Sequence, residues 1–146
     1  NQQMIAASRK IQLTLVAPDR PCIAEVDKSL LARLLDNLLS NAIKFAPADT
    51  CVTLRIISAT DDAGTPCRLC VEDEGPGIPL GYREKVFDKF GVVEMKRLGI
   101  PQTGLGLALC RLVAEAHGGH ISVEARQPRG SVFTVELPGS GTDVSA

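Results

Sequence analysis

Apolar and polar residues alternate along 10-KIQLTLVA-17, with Ile11, Leu13 and Leu15 set against Lys10, Gln12 and Thr14. A period of two predicts a half-buried strand. Pro18 and Pro21 interrupt it, and a short strand over CIAEV (22–26) is expected next. The period then changes. Leu30, Leu31, Leu34, Leu35, Leu38, Leu39, Ala42 and Ile43 recur at helical spacing and form one broad apolar stripe. Asp27 stands where an N-cap belongs, and Pro47 ends the helix. Alternation returns in 51-CVTLRII-57 and 67-CRLCVED-73, which read as one hairpin across the turn signal TDDAGTP.

Residues 74–103 follow neither period. They contain five Gly and three Pro, with one or two amphipathic turns in YREKVFDKF. A connection of this length inside a compact domain is usually functional or disordered. Helical spacing resumes after Gly104, with Leu105, Leu109, Leu112, Val113 and Ala116, and His117-Gly118-Gly119 stops it. The strands HISVEA and SVFTVEL follow, joined by a turn at RQPRG. Helices therefore interrupt pairs of strands without alternating one for one. This order predicts an α+β two-layer sandwich: a mixed, mostly antiparallel sheet of about five strands on about three helices. Residues 1–9 read as the end of an upstream linker, 10–138 as the domain, about 79–103 as a lid, and 139–146 as a loose tail.

Composition narrows the function. The 146 residues suit a single domain, and their net charge of −1 gives no electrostatic reason to bind nucleic acid or an anionic membrane. No apolar run reaches the length of a membrane span, and NQQMIAASRK has no signal-peptide core. A cytoplasmic domain is expected, whether its parent is membrane-bound or soluble. Of the five cysteines, Cys67 and Cys70 form a CxxC pair. On a strand, however, residues three apart face opposite ways, and no second CxxC or nearby His completes a metal site. Small core or edge residues in a reducing compartment are the expectation.

Three segments can carry chemistry. On the long helix Asn37, Asn41 and Lys44 fall on one strip bordering the apolar stripe. An amide oxygen can ligate Mg²⁺ and an ammonium can neutralise phosphate, or the three can be backbone-bonded and solvated. In 73-DEGPGIP-79, Asp73 ends a strand, and Gly75 and Gly77 carry no Cβ. The stretch can accept the exocyclic amine of a flat ring held close to the backbone, or it can be a capped turn. In 103-TGLGLAL-109, Gly104 and Gly106 offer backbone N–H groups at a helix start, where an anion is favoured. Leu109 stands where a dinucleotide fingerprint needs a third Gly, and no P-loop pattern occurs. His117 and His120 lie at a helix end and a strand start, which suits capping or surface roles.

In order, NLLSNAIK (37–44), DEGPGIP (73–79), KVFDKF (85–90), TGLGLAL (103–109), EAHGG (115–119) and GSVFTVELP (130–138) resemble one family. The chain looks like the ATP-binding catalytic domain of a bacterial sensor histidine kinase, in the superfamily that includes gyrase and heat-shock-chaperone ATPases. The resemblance covers residues about 10–138. It implies ATP held between the helix layer and the lid. Asn41 would be the main Mg²⁺ ligand, Asn37 would assist or contact phosphate, and Lys44 would contact the phosphates. Asp73 would take the adenine amine, Gly75 and Gly77 would make room for the ring, and Ile78 would line the pocket. Phe87 and Phe90 would anchor the lid. Thr103, Gly104, Leu105, Gly106 and Leu107 would hold the triphosphate, and Ser131 would reach adenine through water. Lys96 or Arg97 would supply a lid cation.

The family's phosphoacceptor is a His on a preceding dimerisation domain, and no such motif occurs here. The implied partners are that domain, within a homodimeric parent, and indirectly a response regulator; the isolated domain is expected to be monomeric. A different reading is a degenerate nucleotide sensor or protein-binding scaffold. Direct ATP hydrolysis, as in gyrase-like relatives, would need a Glu where Asn37 stands, since an amide is no general base.

Overall fold

The structure is a computed structural model and describes residues 2–18, 24–58, 66–88, 96–97 and 106–139. The strands are β1 (Gln12–Val16), β2 (Cys51–Ser58), β3 (Cys67–Asp73), β4 (His120–Ala125) and β5 (Ser131–Leu137). The helices are α1 (Gln2–Ser8), α2 (Lys28–Phe45) and α3 (Gly106–Ala116), and short 3₁₀ turns cover Leu80–Tyr82 and Lys85–Phe87. The five strands form one sheet in the order β1-β2-β3-β5-β4. β1 runs parallel to β2, and every other neighbour is antiparallel. The α+β sandwich and the β2–β3 hairpin expected from the pattern are both present.

Strand alternation sorts the sheet into two faces. Val52, Val71, Phe133 and Val135 point toward the helices and are almost wholly buried. The opposite face is polar, with Arg55 paired to Glu72 at 2.9 Å and Arg68 to Glu136 at 2.8 Å. Against the inner face lies α2, with Leu34, Leu38, Ala42 and Ile43 at its centre. The helix starts where expected: Asp27 Oδ1 accepts the Leu30 N–H at 3.1 Å. It stops at Ala46, which is extended as a residue before proline must be.

Four expectations change. Ala24, Glu25 and Val26 form no strand; the rest of CIAEV lies outside the described residues. Residues 2–8, read only as an approach from upstream, form a helix that sends Ala6 into the core. Leu15 has the inward parity of β1 but is 63% exposed, because β1 is the sheet's edge. The buried face of α3 is Leu107, Cys110, Val113 and Ala114, while Leu112 is 65% exposed. Small residues at Cys110 and Ala114 let α3 approach α2 closely, and the Cys110 thiol donates to the Leu34 carbonyl at 3.5 Å.

The end of α3 is a Schellman closure. Gly118, at φ 78°, bonds back to the Glu115 carbonyl, and the Gly119 N–H reaches the Ala114 carbonyl at 2.9 Å. A Cβ on Gly119 would overlap the Glu136 carbonyl oxygen, so β4 can begin directly beside β5.

Candidate functional site

A cleft opens between α2 and the ends of β3 and β5. Its empty space, mouth included, is about 410 Å³. Asn41 and Phe45 of α2, Asp73 of β3 and Ser131 and Phe133 of β5 line it, with Gly77, Ile78, Val86 and Leu107 completing the walls beside Pro76. The two glycine-containing segments of the sequence thus meet in one cavity, one through Asp73, Gly77 and Ile78 and the other through Leu107.

Asp73 sits at the polar end of this largely apolar space. It is 5% exposed and pairs in register with Ser131, itself 4% exposed. Its Oδ1 accepts the Gly75 N–H at 2.8 Å. Burial raises the carboxyl above its usual 3.8; the Gly75 and Ser131 backbone N–H groups and the charge of Arg126 oppose that rise without cancelling it. A desolvated acceptor of this kind favours a ligand that brings its own hydrogen-bond donor.

Close backbone approach builds the corner that holds Asp73. A Cβ on Gly75 would lie 2.9 Å from Asp73 Oδ1 and 3.1 Å from the Phe45 carbonyl oxygen. Gly75 therefore makes room for the carboxylate and for the end of α2, while Gly77, at φ 77°, is the glycine in the cleft wall. From the far side, a Cβ on Gly130 would overlap the Asp73 carbonyl oxygen. Glu74 faces away from the cleft and accepts the Cys51 N–H at 2.9 Å.

The strip on α2 divides. Asn41 is 7% exposed and in the cleft wall. Asn37, one turn earlier, lies against the first residue of α3: a Cβ on Gly106 would stand 3.6 Å from its Oδ1. Its side chain also opposes the rise that burial gives the Cys110 thiol pKa. Lys44 is exposed at the rim, its Nζ 5.6 Å from the centre of the Phe45 ring. Phe87 is buried and packs edge-to-face on Phe133, with ring centres 6.0 Å apart, which fixes the chain leaving the cleft. Gly106 opens α3, Lys96 and Arg97 are exposed, and Phe90, Thr103, Gly104 and Leu105 lie outside the described residues.

Phe45, Val86 and Phe133 are wall residues that sequence reasoning missed. They looked like core, and only their convergence on one space marks them. Neither His is in the cleft. His117 Nδ1 donates to the Val113 carbonyl at 2.7 Å while its Nε2 accepts the Asp27 N–H at 3.0 Å. His120 is 66% exposed beside Glu136. Cys67 and Cys70 sit on opposite faces of β3, and among the described residues no three His, Cys, Asp or Glu side chains gather to hold a metal.

The sequence profile of the histidine kinase-, DNA gyrase B- and HSP90-like ATPases matches residues 26–141. The chain belongs to this ATPase family. Within it, the chain is 37% identical over 139 residues to the sensor protein KdpD of Escherichia coli (strain K12), covering 93% of this chain and 15% of that protein. It is 38% identical over 122 residues to the sensor histidine kinase WalK of Bacillus subtilis (strain 168), covering 83% and 20%. It therefore spans about a fifth or less of these relatives. The mycobacterial sensor histidine kinase MprB superposes with a TM-score of 0.76 at 32% identity, over 95% of this chain and 89% of that one. Full-length ShkA, solved in complex with AMPPNP, gives 0.77 at 28% identity, over 94% and 27%. WalK and MprB are sensor histidine kinases, and the chain is an ATPase domain of that type, with the sheet and helix layer those structures share. None of its described helices is long and apolar enough to cross a membrane.

Proposed function

We propose that this ATPase domain binds ATP with Mg²⁺ in the cleft and delivers the γ-phosphate to a histidine on an adjoining helical domain. The observation that carries this reading is the buried Asp73 carboxylate, held at one end of an apolar cleft whose other end meets Asn41 and the start of α3. Adenine fits the first end: its exocyclic amine donates to Asp73, and Ile78, Val86, Leu107 and Phe133 exclude water from its faces. Ser131, buried beside Asp73, would hold a bridging water. The triphosphate fits the second end, where the α3 dipole favours negative charge.

Mg²⁺ fits the donors present. Among the described residues no cluster of carboxylates gathers, so the protein would contribute the amide oxygen of Asn41, and phosphates and water would supply the other hard-oxygen ligands. When bound, the ion would neutralise charge on the phosphates. Asn37, beside Gly106 at the first turn of α3, would assist at the ion or contact phosphate. In the transfer itself the imidazole nitrogen forms a bond to Pγ as the bond from Pγ to the β–γ bridging oxygen breaks, and ADP leaves. The domain's part is to orient that in-line geometry.

The partners under this reading are the His-bearing dimerisation domain of a homodimeric parent and, after it, a response regulator. The free thiols of Cys51, Cys70 and Cys110 suit a reducing, cytoplasmic setting. Calorimetric titration with ATP, with and without Mg²⁺, tests the binding step. Mg²⁺-dependent binding that Asp73→Ala abolishes is the expected result. Binding indifferent to both would point instead to a protein-binding scaffold.

A further inference from the structure

The corner that carries Asp73 is clamped from outside by a residue with no place in the cleft. Chain leaving β3 at Glu74 and Gly75 has passed the last register pair of the sheet, Asp73 with Ser131, so the ladder offers its carbonyls no partner. Arg129, in the turn between β4 and β5, supplies one. Its Nε donates to the Glu74 carbonyl at 3.2 Å and to the Gly75 carbonyl at 3.1 Å. The turn is itself closed: the Arg126 N–H donates to the Gly130 carbonyl at 3.0 Å and Arg126 Nη1 to the Arg129 carbonyl at 3.1 Å. Gly130, next in the chain, presses against the Asp73 carbonyl with no space for a Cβ.

We infer that Arg129 is a positioning residue for base recognition: by fixing the 74–75 peptides it aims the Gly75 N–H at Asp73 Oδ1, and so holds the carboxylate where a 6-amino purine can donate to it. The chain of contact is short, from Arg129 to the Glu74 carbonyl, from the Gly75 N–H of that same peptide to Asp73, and from Asp73 into the cleft. Arg129 is not among the described residues that line the cleft, so its loss is expected to bear on the base more than on the phosphates. Long side chains on a surface turn usually contribute little. This one differs because its cation meets two backbone carbonyls, and charge-assisted bonds of that kind are the stronger ones. Lys can supply a cation and donors at the same place, but without the planar guanidinium.

The inference rests on the adenine reading of Asp73, and the test separates the two. ATP and inosine triphosphate, which lacks the 6-amino group, are titrated against the whole chain carrying no change, Arg129→Met, Arg129→Lys or Asp73→Ala, with Mg²⁺ present. For Arg129→Met, affinity for ATP is expected to fall about tenfold and affinity for inosine triphosphate to fall little, so the ratio of the two shrinks. Arg129→Lys should restore part of that ratio. A general loss of stability would weaken both ligands alike and leave the ratio unmoved. An unchanged ratio in Arg129→Met, with the ratio lost in Asp73→Ala, overturns the role of Arg129 and spares the adenine reading. A ratio unchanged in Asp73→Ala as well removes both.

Discussion

The backbone N–H of Asp27 donates to Nε2 of His117 at 3.0 Å, which ties the start of α2 to the end of α3 across 90 residues of sequence. The other ring nitrogen, Nδ1, bonds the Val113 carbonyl at 2.7 Å, so the imidazole is a neutral bridge with its hydrogen on Nδ1. These two helices carry opposite walls of the cleft: Asn41 stands on one and Leu107 on the other.

Replacing His117 with Ala should therefore cost about 1 kcal/mol of folding stability, the scale of a hydrogen-bond bridge in a partly exposed place. Asp27→Ala should cost a similar ~1 kcal/mol through loss of the side-chain cap on Leu30, because the Asp27 N–H that meets His117 survives that change. The two effects use different atoms and should add. Urea denaturation of both single variants and the double variant measures this; strong non-additivity would mean the cap and the bridge act as one unit.

Asp73 predicts a pH dependence with a definite sign. Its carboxyl is raised in the folded state above the usual 3.8, chiefly by burial. A raised group contributes its stabilisation fully below its unfolded value and loses it as pH climbs through the folded value. Asp73→Asn, which cannot ionise, should thus gain stability relative to the unchanged chain as pH rises from 3.8 through the native value of Asp73, and hold that gain to neutrality. Denaturation at a series of pH values gives the difference curve. A slope of the opposite sign would show that the Gly75 and Ser131 hydrogen bonds outweigh burial. ATP affinity should run the other way and fall on acidification, since a protonated carboxyl is the poorer acceptor.

Much of this fold was legible because its elements repeat a single period. The α2 stripe, its Asp27 cap and the alternation in β3 and β5 each identify an element without help from the rest of the chain. What was not legible is whatever depends on a distant partner. Leu15 has the pattern of a core residue, and only the edge position of β1 explains its exposure. α1 is too short for a period to show, and its one core residue is Ala6. In the site, Asp73 and Asn41 stand out as polar residues next to apolar patterns. Phe45 and Phe133 do not, because an apolar wall residue and a core residue look alike in one dimension. Gly130 read as an ordinary turn glycine, and its contact with Asp73 exists only once β5 lies beside β3.

Cys110 should be the most inert thiol among the described cysteines. It is fully buried, and burial pushes its pKa from 9.0 up to about 12, against weaker opposing hydrogen bonds that include the Asn37 amide. The thiolate is the reactive form, so at neutral pH it reacts only when the structure opens. Among the described cysteines, alkylation followed by mass spectrometry should find the half-buried Cys51 modified first and Cys110 last, at a rate that urea raises in step with unfolding. The linkage also has a sign. The stabilisation from keeping Cys110 neutral is complete below pH 9.0 and is lost toward 12, so the stability difference from Cys110→Ala should narrow only under alkaline conditions.

The three polar residues of α2 should separate by function. Asn41→Ala removes the amide in the cleft wall but places the best helix former at a helical position, so the fold should persist. ATP affinity in Mg²⁺ should drop about tenfold or more, as for loss of a charged-ligand contact, and the loss should shrink when Mg²⁺ is withheld. Asn37→Ala removes an amide beside Gly106 that also acts on the Cys110 thiol, so its mark should include lower stability without nucleotide. Lys44 lies exposed over Phe45 at the rim, and Lys44→Ala should weaken ATP mainly at low ionic strength, since an exposed charge is screened within about 8 Å at physiological salt. Titrations of the three variants at two salt concentrations, with and without Mg²⁺, resolve these patterns. Equal, Mg²⁺-independent losses in all three would mean that the strip supports the helix and holds no ion.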